Sequence, residues 1–199
     1  TRPGVKSNAF SRLNVRLSNK CSERANMRVL GVDPGLTRCG IGVVDVNSRR
    51  IAQFVHVEVL RTDSDLDLVD RLGELSIMMR QIFSAHSPDA IAIERVFSQL
   101  NVRTAMNTAQ ASAVAMLAAF ELELPVFMYT PTEVKAAVTG SGRADKKQVT
   151  NMVAKHLKLE TLPKPADAAD ALALALCHSW RGVGQQRLSA KLASMGVTA

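Results

Sequence analysis

Apolar runs rich in Val and Ile alternate with turn residues in the N-terminal half of the chain. The runs cover residues 28–33, 39–46 and 51–60. Pro34-Gly35 separates the first two runs, and Asn47-Ser48 separates the last two. β-Branched runs bounded by such residues are typical of strands joined by short turns. The pattern therefore predicts three consecutive strands that form a meander.

Helical periodicity dominates the rest of the chain. Apolar residues recur every three or four positions over 65–86, which predicts an amphipathic helix. Short apolar runs at 90–94 and 125–129 predict two buried strands. Four further helices are predicted over about 102–122, 131–139, 145–158 and 165–180, and Thr130 to Glu133 form a capping box before the second of these. This order predicts one mixed α/β domain of five strands with flanking helices.

Composition narrows the class of protein. The chain has 199 residues, enough for one domain with a sizeable core. It contains no run of 18 or more apolar residues, so no membrane span is predicted. Its three cysteines are an odd number without CxxC spacing, which indicates reduced thiols and a cytoplasmic protein.

Charge and pattern set the two ends of the chain apart. Residues 1–26 carry six Lys or Arg against one acid and show no sustained periodicity. We interpret them as a non-native or disordered extension, with Met27 as the natural start. The folded domain is predicted over 27–180, where acids and bases nearly balance, and residues 181–199 are predicted to form a flexible tail.

Charge is also uneven within the domain. Residues 131–164 carry seven Lys or Arg against three acids, whereas residues 63–74 carry five acids against one Arg. One face of the protein is therefore suited to phosphate and another would repel it.

Four carboxylates lie at the ends of three separate predicted elements. Asp33 ends the first strand and Glu94 ends the fourth, while Asp167 and Asp170 lie three residues apart near the start of the last helix. Right-handed crossover makes the fourth strand parallel to an earlier one. If it pairs beside the first strand, Asp33 and Glu94 share the sheet edge where open α/β sheets bind ligands.

Small residues would let the last helix approach this edge. Gly31 precedes Asp33 on the same face of its strand, and Ala92 similarly precedes Glu94. The helix is itself rich in alanine, and its two aspartates share one face. We therefore expect all four carboxylates to meet.

A set of oxygen ligands of this kind is suited to Mg²⁺, which a few carboxylates hold together with water and phosphate. Two such ions can stabilise both the attacking and the leaving oxygen of a phosphodiester. Each acid alone has a simpler explanation. Asp-Pro-Gly is a common turn, a Glu that ends a strand is often only solvated, and Asp residues suit the first turn of a helix. The prediction depends on their conjunction.

Four segments of the chain resemble the RuvC family of Holliday-junction resolvases. They are MRVLGVDPGLTRCGIGVVD, AIERVFSQLN, VKAAVTGSGRADKKQV and KPADAADALALALCH, and they occur in the family order between Met27 and about Trp180. The resemblance implies a ribonuclease H-like fold with a mixed five-stranded sheet and flanking helices. It also implies a homodimer that works with a branch-migration motor in DNA recombination and repair.

The same resemblance implies Mg²⁺-dependent endonuclease activity that makes paired symmetric cuts in four-way junction DNA. Two ions are expected in each active site, and Mn²⁺ is expected to substitute. By this resemblance the catalytic metal ligands are Asp33, Glu94, Asp167 and Asp170. The expected DNA contacts are Phe97, which would insert at the junction, Lys135 and Lys146 near the scissile phosphate, and Arg143 and Lys147 on a glycine-bearing loop that enters a helix.

Two other functions remain open at this point. A related ribonuclease H-like module could bind DNA or process RNA without resolvase activity, although the complete carboxylate set argues against this. GVDPGLT also resembles a phosphate loop of actin-like ATPases, but the chain is too short for their second domain. The stripe with Met106 and Met116 fits either a dimer seam or a contact with the sheet. The four histidines have no metal-ligand spacing and are interpreted as structural or surface residues.

Overall fold

The computed structural model describes residues 26–95 and 102–194, from residue 183 onward as backbone only. The elements in this part of the chain follow the predicted order. The strands are β1 (Asn26–Asp33), β2 (Arg38–Asn47), β3 (Ala52–Arg61), β4 (Ala90–Glu94) and β5 (Val126–Tyr129), and the helices are α1 (Leu68–His86), α2 (Val102–Glu121), α3 (Pro131–Thr139), α4 (Lys146–Leu157) and α5 (Ala166–Ser194).

The five strands form one mixed sheet in the order β3-β2-β1-β4-β5. The meander β1–β2–β3 is antiparallel, whereas β4 pairs parallel to β1 and β5 pairs parallel to β4. Helix α1 carries the chain from one edge of the sheet back to its centre, so that β4 lies beside β1. The predicted mixed five-stranded sheet with flanking helices is confirmed.

Helices cover both faces of the sheet. Because the central strands are buried on both sides, they consist almost entirely of apolar residues. Helices α1 and α2 pack on one face over Leu30, Val32, Ile41, Ile91 and Ile93. Helices α3, α4 and α5 pack on the other face over Val29, Val44 and Ala92. The result is a three-layer domain.

Glycines let α5 lie unusually close to the sheet. A Cβ atom added to Gly31 would lie 2.7 Å from the amide nitrogen of Ala175, and one added to Gly42 would lie 2.6 Å from that of Leu172. Any larger side chain would force the helix away. The predicted close approach of an alanine-rich helix to small strand residues is therefore confirmed.

Helix α2 has one buried and one exposed apolar face. The buried face packs small residues such as Ala111, Ala115 and Ala119 against the rest of the domain. Met106 and Met116 belong to the opposite, exposed face, so the stripe does not contact the sheet. Val102 is 76% exposed and Phe120 is 75% exposed on this side of the helix.

The two ends of the chain differ in part from expectation. Asn26 pairs with Asn47 as the first residue of β1, so the described fold begins one residue before Met27. The predicted helix end at Trp180 is wrong, because α5 continues to Ser194. Gly182 does not end the helix. It packs against the ring of His178, where an added Cβ would lie 2.6 Å from Nδ1.

Two predictions concern residues outside the described part of the chain. Residues 1–25 are among them, so the proposed extension stays a prediction. Phe97 also lies outside the described residues. Among the helices that are described, none combines the length and apolar character needed to cross a bilayer.

Candidate active site

Asp33 and Glu94 end two neighbouring parallel strands. The register pairs Gly31 with Ala92 and Val32 with Ile93, so the next step places Asp33 beside Glu94. Side chains two positions apart on a strand lie on the same face, so Asp33 shares a face with Gly31 and Glu94 shares one with Ala92. Both Gly31 and Ala92 pack against α5, and therefore both acids lie on the face that α5 covers. The predicted meeting of these two acids at one edge of the sheet is confirmed.

The first turns of α5 bring two more carboxylates to the same edge. Gly40 lies under the start of the helix, where an added Cβ would lie 2.7 Å from the carbonyl carbon of Asp167. Charge repulsion from Asp167 and Asp170 contributes to the raised pKa of Asp33. The other three predicted acids therefore all lie within electrostatic reach of Asp33.

The shared site changes how the carboxylates ionise. Burial raises the pKa of Asp33 to about 8, with further contributions from the charges of Glu94 and Asp170. Burial also raises the pKa of Glu94, although its hydrogen bond with Asp33 and the charges of Lys146 and Lys135 act in the opposite direction. Four acids in a partly dry site repel one another, so the site favours a bound cation.

Two lysines from α3 and α4 flank the acids. Lys146 Nζ lies 3.1 Å from Asp170 Oδ2, and this carboxylate raises the pKa of Lys146. Helix α3 begins at the predicted capping box, in which the amide of Glu133 donates to Thr130 Oγ1. Lys135 follows in that helix, close enough to lower the pKa of Glu94. Both lysines predicted near the phosphate therefore adjoin the acidic site.

Arg143 and Lys147 are exposed residues on the loop before α4 and in its first turn. Over residues 26–95 and 102–182, neither forms an ion pair with the four acids. The helix start itself is less suited to phosphate than predicted. The Asp145 carboxylate accepts the amide of Gln148 at 2.8 Å, so a negative side chain already caps the helix.

Arg38 is a neighbour of the site that no sequence motif indicated. Its Nε lies 3.3 Å from Asp167 Oδ2. The only signal in the sequence is that Arg38 starts the strand after the Asp33 loop, and β2 returns antiparallel beside β1. Its contact with Asp167 depends on how α5 docks, which the sequence pattern does not determine.

The site fits a divalent cation by its donors. Asp167 Oδ2 is buried and accepts no hydrogen bond, although it forms an ion pair with Arg38 Nε at 3.3 Å, so it has capacity for a further positive partner. Within the described residues, no three His, Cys, Asp or Glu side chains are close enough to hold a metal ion by themselves. The four carboxylates therefore do not form a closed metal cage here, and water and substrate phosphate would have to complete the coordination of Mg²⁺.

The histidines lie away from this cluster. His178 is buried with its Nδ1 2.7 Å from the hydroxyl of Tyr129, and burial lowers its pKa to about 4. His156 packs edge-on against Trp180, and His56 stacks on His86. Their interpretation as structural or surface residues agrees with these contacts.

Comparison with known proteins places this site in a family. The model of the family described as crossover junction endodeoxyribonuclease RuvC matches residues 29–178. A protein of that name from Streptomyces griseus is 58% identical over 168 residues, which cover 84% of this chain and 82% of the relative. One from Parafrankia is 60% identical over 164 residues, covering 82% and 92% of the two chains.

Solved structures agree with this assignment. Thermus thermophilus RuvC in complex with a Holliday junction substrate superposes with a TM-score of 0.76 and 35% identity, covering 80% of this chain and 96% of that one. The yeast mitochondrial Holliday junction resolvase, with a TM-score of 0.58 and 13% identity, shares the fold. The fold is ribonuclease H-like, as the resemblance implied. Because a family model and close relatives both match most of its length, the chain belongs to the RuvC family of crossover junction endodeoxyribonucleases.

Proposed function

We propose that this protein resolves Holliday junctions by Mg²⁺-dependent hydrolysis, with paired symmetric cuts in two strands of like polarity. The observation that carries the proposal is the convergence of Asp33, Glu94, Asp167 and Asp170 at one sheet edge, with Lys146 on Asp170. Family membership supports the same activity, because the relatives carry the name of crossover junction endodeoxyribonucleases.

The four carboxylates would hold two Mg²⁺ ions, for which Mn²⁺ would substitute. When bound, the ions would supply positive charge next to the attacking and leaving oxygens. Lys146 and Lys135 adjoin the acids and would contact the scissile phosphate and its neighbours. The raised pKa of Asp33 means that this side chain releases a proton when a cation binds near neutral pH.

The decisive experiment is cleavage of a mobile four-way junction by the purified protein. With Mg²⁺ or Mn²⁺ we expect one nick in each of the two strands of like polarity, at symmetric positions relative to the crossover. We expect no nicks in EDTA. Linear duplex of the same sequence is the matched substrate control. Cutting in EDTA would exclude the metal mechanism. Equal cutting of linear duplex would instead favour a nuclease that is not selective for junctions.

Paired cuts require two active sites, and we propose that a homodimer supplies them through the exposed face of α2. Val102, Met106, Ala109, Ala113 and Phe120 follow one another at spacings of three, four or seven, as in a helix–helix seam. Two of these side chains are about three-quarters exposed in the single chain. Large apolar side chains so exposed are typical of an interaction surface.

Sedimentation velocity of the wild type and of Phe120→Asp tests the dimer. The charged side chain should shift the protein toward monomer and reduce paired cuts more than single nicks. Leu162→Asp, at an exposed apolar position outside α2, is the matched control. A dimer that persists in Phe120→Asp would place the interface elsewhere.

By family resemblance we also propose that the enzyme acts in the cytoplasm with a branch-migration motor during recombination and repair. The same resemblance implies a preference for certain sequences at the cut, so the motor should increase the rate of cutting on junctions whose preferred sequence lies away from the initial crossover. No increase on such junctions would argue against a functional partnership.

A further inference from the structure

A pair of arginines lies at the same edge of the sheet as the four acids. Arg38 is the first residue of β2 and Arg61 is the last residue of β3, and the register places them directly opposite each other. Two like charges in this arrangement destabilise a sheet. Over the residues whose side chains are described, Arg61 forms no ion pair that would offset the repulsion. Arg38 has Asp167 as its ion-pair partner, so the charge of Arg61 is the one that the fold leaves unexplained.

Both arginines share the face of the sheet on which α5 lies. Arg38 alternates in phase with Gly40 and Gly42, which pack beneath α5, and its Nε approaches Asp167. Arg61 has the same orientation, because side chains directly opposite on antiparallel strands lie on one face. The two arginines therefore share the face of the sheet that carries the side chains of Asp33 and Glu94.

Positive side chains lie on both sides of the acids along the sheet edge. Reading the strands in spatial order gives Arg61, Arg38, Asp33 and Glu94, and Lys135 follows on the helix after β5. Adjacent strands are about 4.8 Å apart, so the arginines lie about 5 and 10 Å from the strand of Asp33. A DNA strand advances about 3.4 Å per nucleotide. Gly40 and not Arg38 lies opposite Asp33, so Arg38 is also displaced by two residues, about 7 Å, along its strand. The arginines are therefore suited to phosphates a few nucleotides away from one bound at Asp33.

The negative charge of the acidic cluster holds the Arg38 guanidinium beside Asp167 while no cation is bound, although the ion pair itself adds little to folding. The Arg38 side chain is 53% exposed, and exposed ion pairs contribute little to stability. A cation that binds Asp167 would compete with Arg38 for this carboxylate. The planar guanidinium could then turn to a phosphate, a partner that it binds through paired hydrogen bonds.

We propose that Arg38 and Arg61 form a phosphate clamp on the β2–β3 side of the active site, opposite the lysines of α3 and α4. The clamp holds the cleaved strand beside the scissile phosphate, and Arg38 joins it when Asp167 no longer retains it. This inference rests on the proposed nuclease function, since it assigns the path of the DNA through the same site.

Binding to a four-way junction in EDTA, measured by fluorescence anisotropy over a series of salt concentrations, tests the clamp without any metal or cleavage. Removing one phosphate contact lowers the slope of log K against log salt by about one unit. Arg61→Gln should lower the slope by about one unit. Arg49→Gln, an exposed arginine at the opposite end of the same hairpin, should leave it unchanged.

The release of Arg38 is tested in two backgrounds. In the wild type, Arg38→Gln should change the slope little, because Asp167 retains the guanidinium. In Asp167→Asn, where the partner carries no charge, adding Arg38→Gln should lower the slope by about one unit. Thermal melting of each variant checks that the fold is intact.

Three results would overturn the proposal. An Arg61→Gln slope equal to that of Arg49→Gln would remove Arg61 from the DNA path. An unchanged slope for Arg38→Gln in both backgrounds would remove Arg38. If Arg38→Gln lowered the slope by a full unit in the wild type as well as in Asp167→Asn, Asp167 would not be retaining Arg38. None of these depends on cleavage, so they are distinct from failure of the proposed function, which a wild type that does not cut junctions in Mg²⁺ would show.

Discussion

Lys146 Nζ and Asp170 Oδ2 lie 3.1 Å apart, which joins the first residue of α4 to the start of α5. The lysine side chain is 76% exposed and the aspartate side chain 31%, so the pair contributes little to folding. Its position beside the acidic site indicates a role toward substrate. The ammonium lies where it can exchange a carboxylate for a phosphate.

Replacing Lys146 with Ala should therefore lower cleavage by about 10- to 100-fold, the equivalent of one charged hydrogen bond worth about 1.5–3 kcal/mol. The salt dependence of junction binding should also become shallower by about one unit. Lys135→Ala should act in the same direction. Single-turnover cleavage and anisotropy measure the two effects.

Lys155→Ala provides the control, because this exposed lysine lies near the other end of α4. It should change neither the rate nor the slope. If Lys146→Ala behaved like Lys155→Ala in both measurements, the lysine would lie off the path of the DNA.

The positions of the two strand carboxylates could be predicted because they follow from rules of topology. A right-handed crossover and two parallel strands suffice to bring Asp33 and Glu94 to one edge. The close approach of α5 could also be predicted, since Gly31 and the alanines of the helix allow it. These inferences need only element order and residue size.

Other features depended on packing that the sequence pattern does not specify. The contact of Arg38 with Asp167 requires the docking of α5 over Gly40. The exposed face of α2 could not be distinguished from a buried one, because both faces of that helix carry apolar residues. The end of α5 at Ser194 lies well beyond the predicted end at Trp180, and Gly182 lies within the helix against the ring of His178.

Replacing Glu94 with Gln, or Asp33 or Asp167 with Asn, should lower cleavage about a thousandfold or more, because several kcal/mol of charge stabilisation depend on the bound cation. Junction binding should persist or tighten, since the acids repel phosphate while the lysines remain. Asp170→Asn should cost less, because Lys146 already shares this carboxylate. Cleavage and binding are measured on the same junction. A normal cleavage rate for Glu94→Gln would make the site assignment wrong.

Phe97 carries a prediction that the described residues do not test. It follows Glu94 by three positions, and an exposed aromatic there could stack on unpaired bases for about 1–3 kcal/mol per base. Phe97→Ala should then impair cleavage while barely changing the melting temperature. A core Phe→Ala would cost about 3–5 kcal/mol of stability. A large drop in melting temperature, with cleavage per folded molecule intact, would make Phe97 a core residue.

The raised pKa of Asp33 predicts an unusual dependence of stability on pH. Its pKa is about 8 in the folded protein, against 3.8 for an unperturbed side chain, so the folded state binds the extra proton between these values. The contribution of Asp33 to the free energy of unfolding is therefore fully present below about pH 4. It decreases as the pH rises and is lost once the pH passes 8. His178 acts oppositely but only between about pH 4 and 6.5, because its folded pKa is lowered. Between about pH 6.5 and 8, metal-free protein should lose stability as pH rises.

Asp33→Asn should remove this loss, because the amide cannot ionise. Urea unfolding in EDTA should show that the free energy of unfolding of the variant, relative to that of the wild type, is higher at pH 8 than at pH 5. Saturating Mg²⁺ should stabilise the wild type more at pH 8 than at pH 5, since bound cation favours the ionised carboxylate. Asp65→Asn, in the exposed segment before α1, is the matched control and should follow the wild type at both pH values. Parallel pH profiles for Asp33→Asn and wild type would mean that burial and charge do not perturb Asp33, and the close approach of the four acids would then be doubtful in solution.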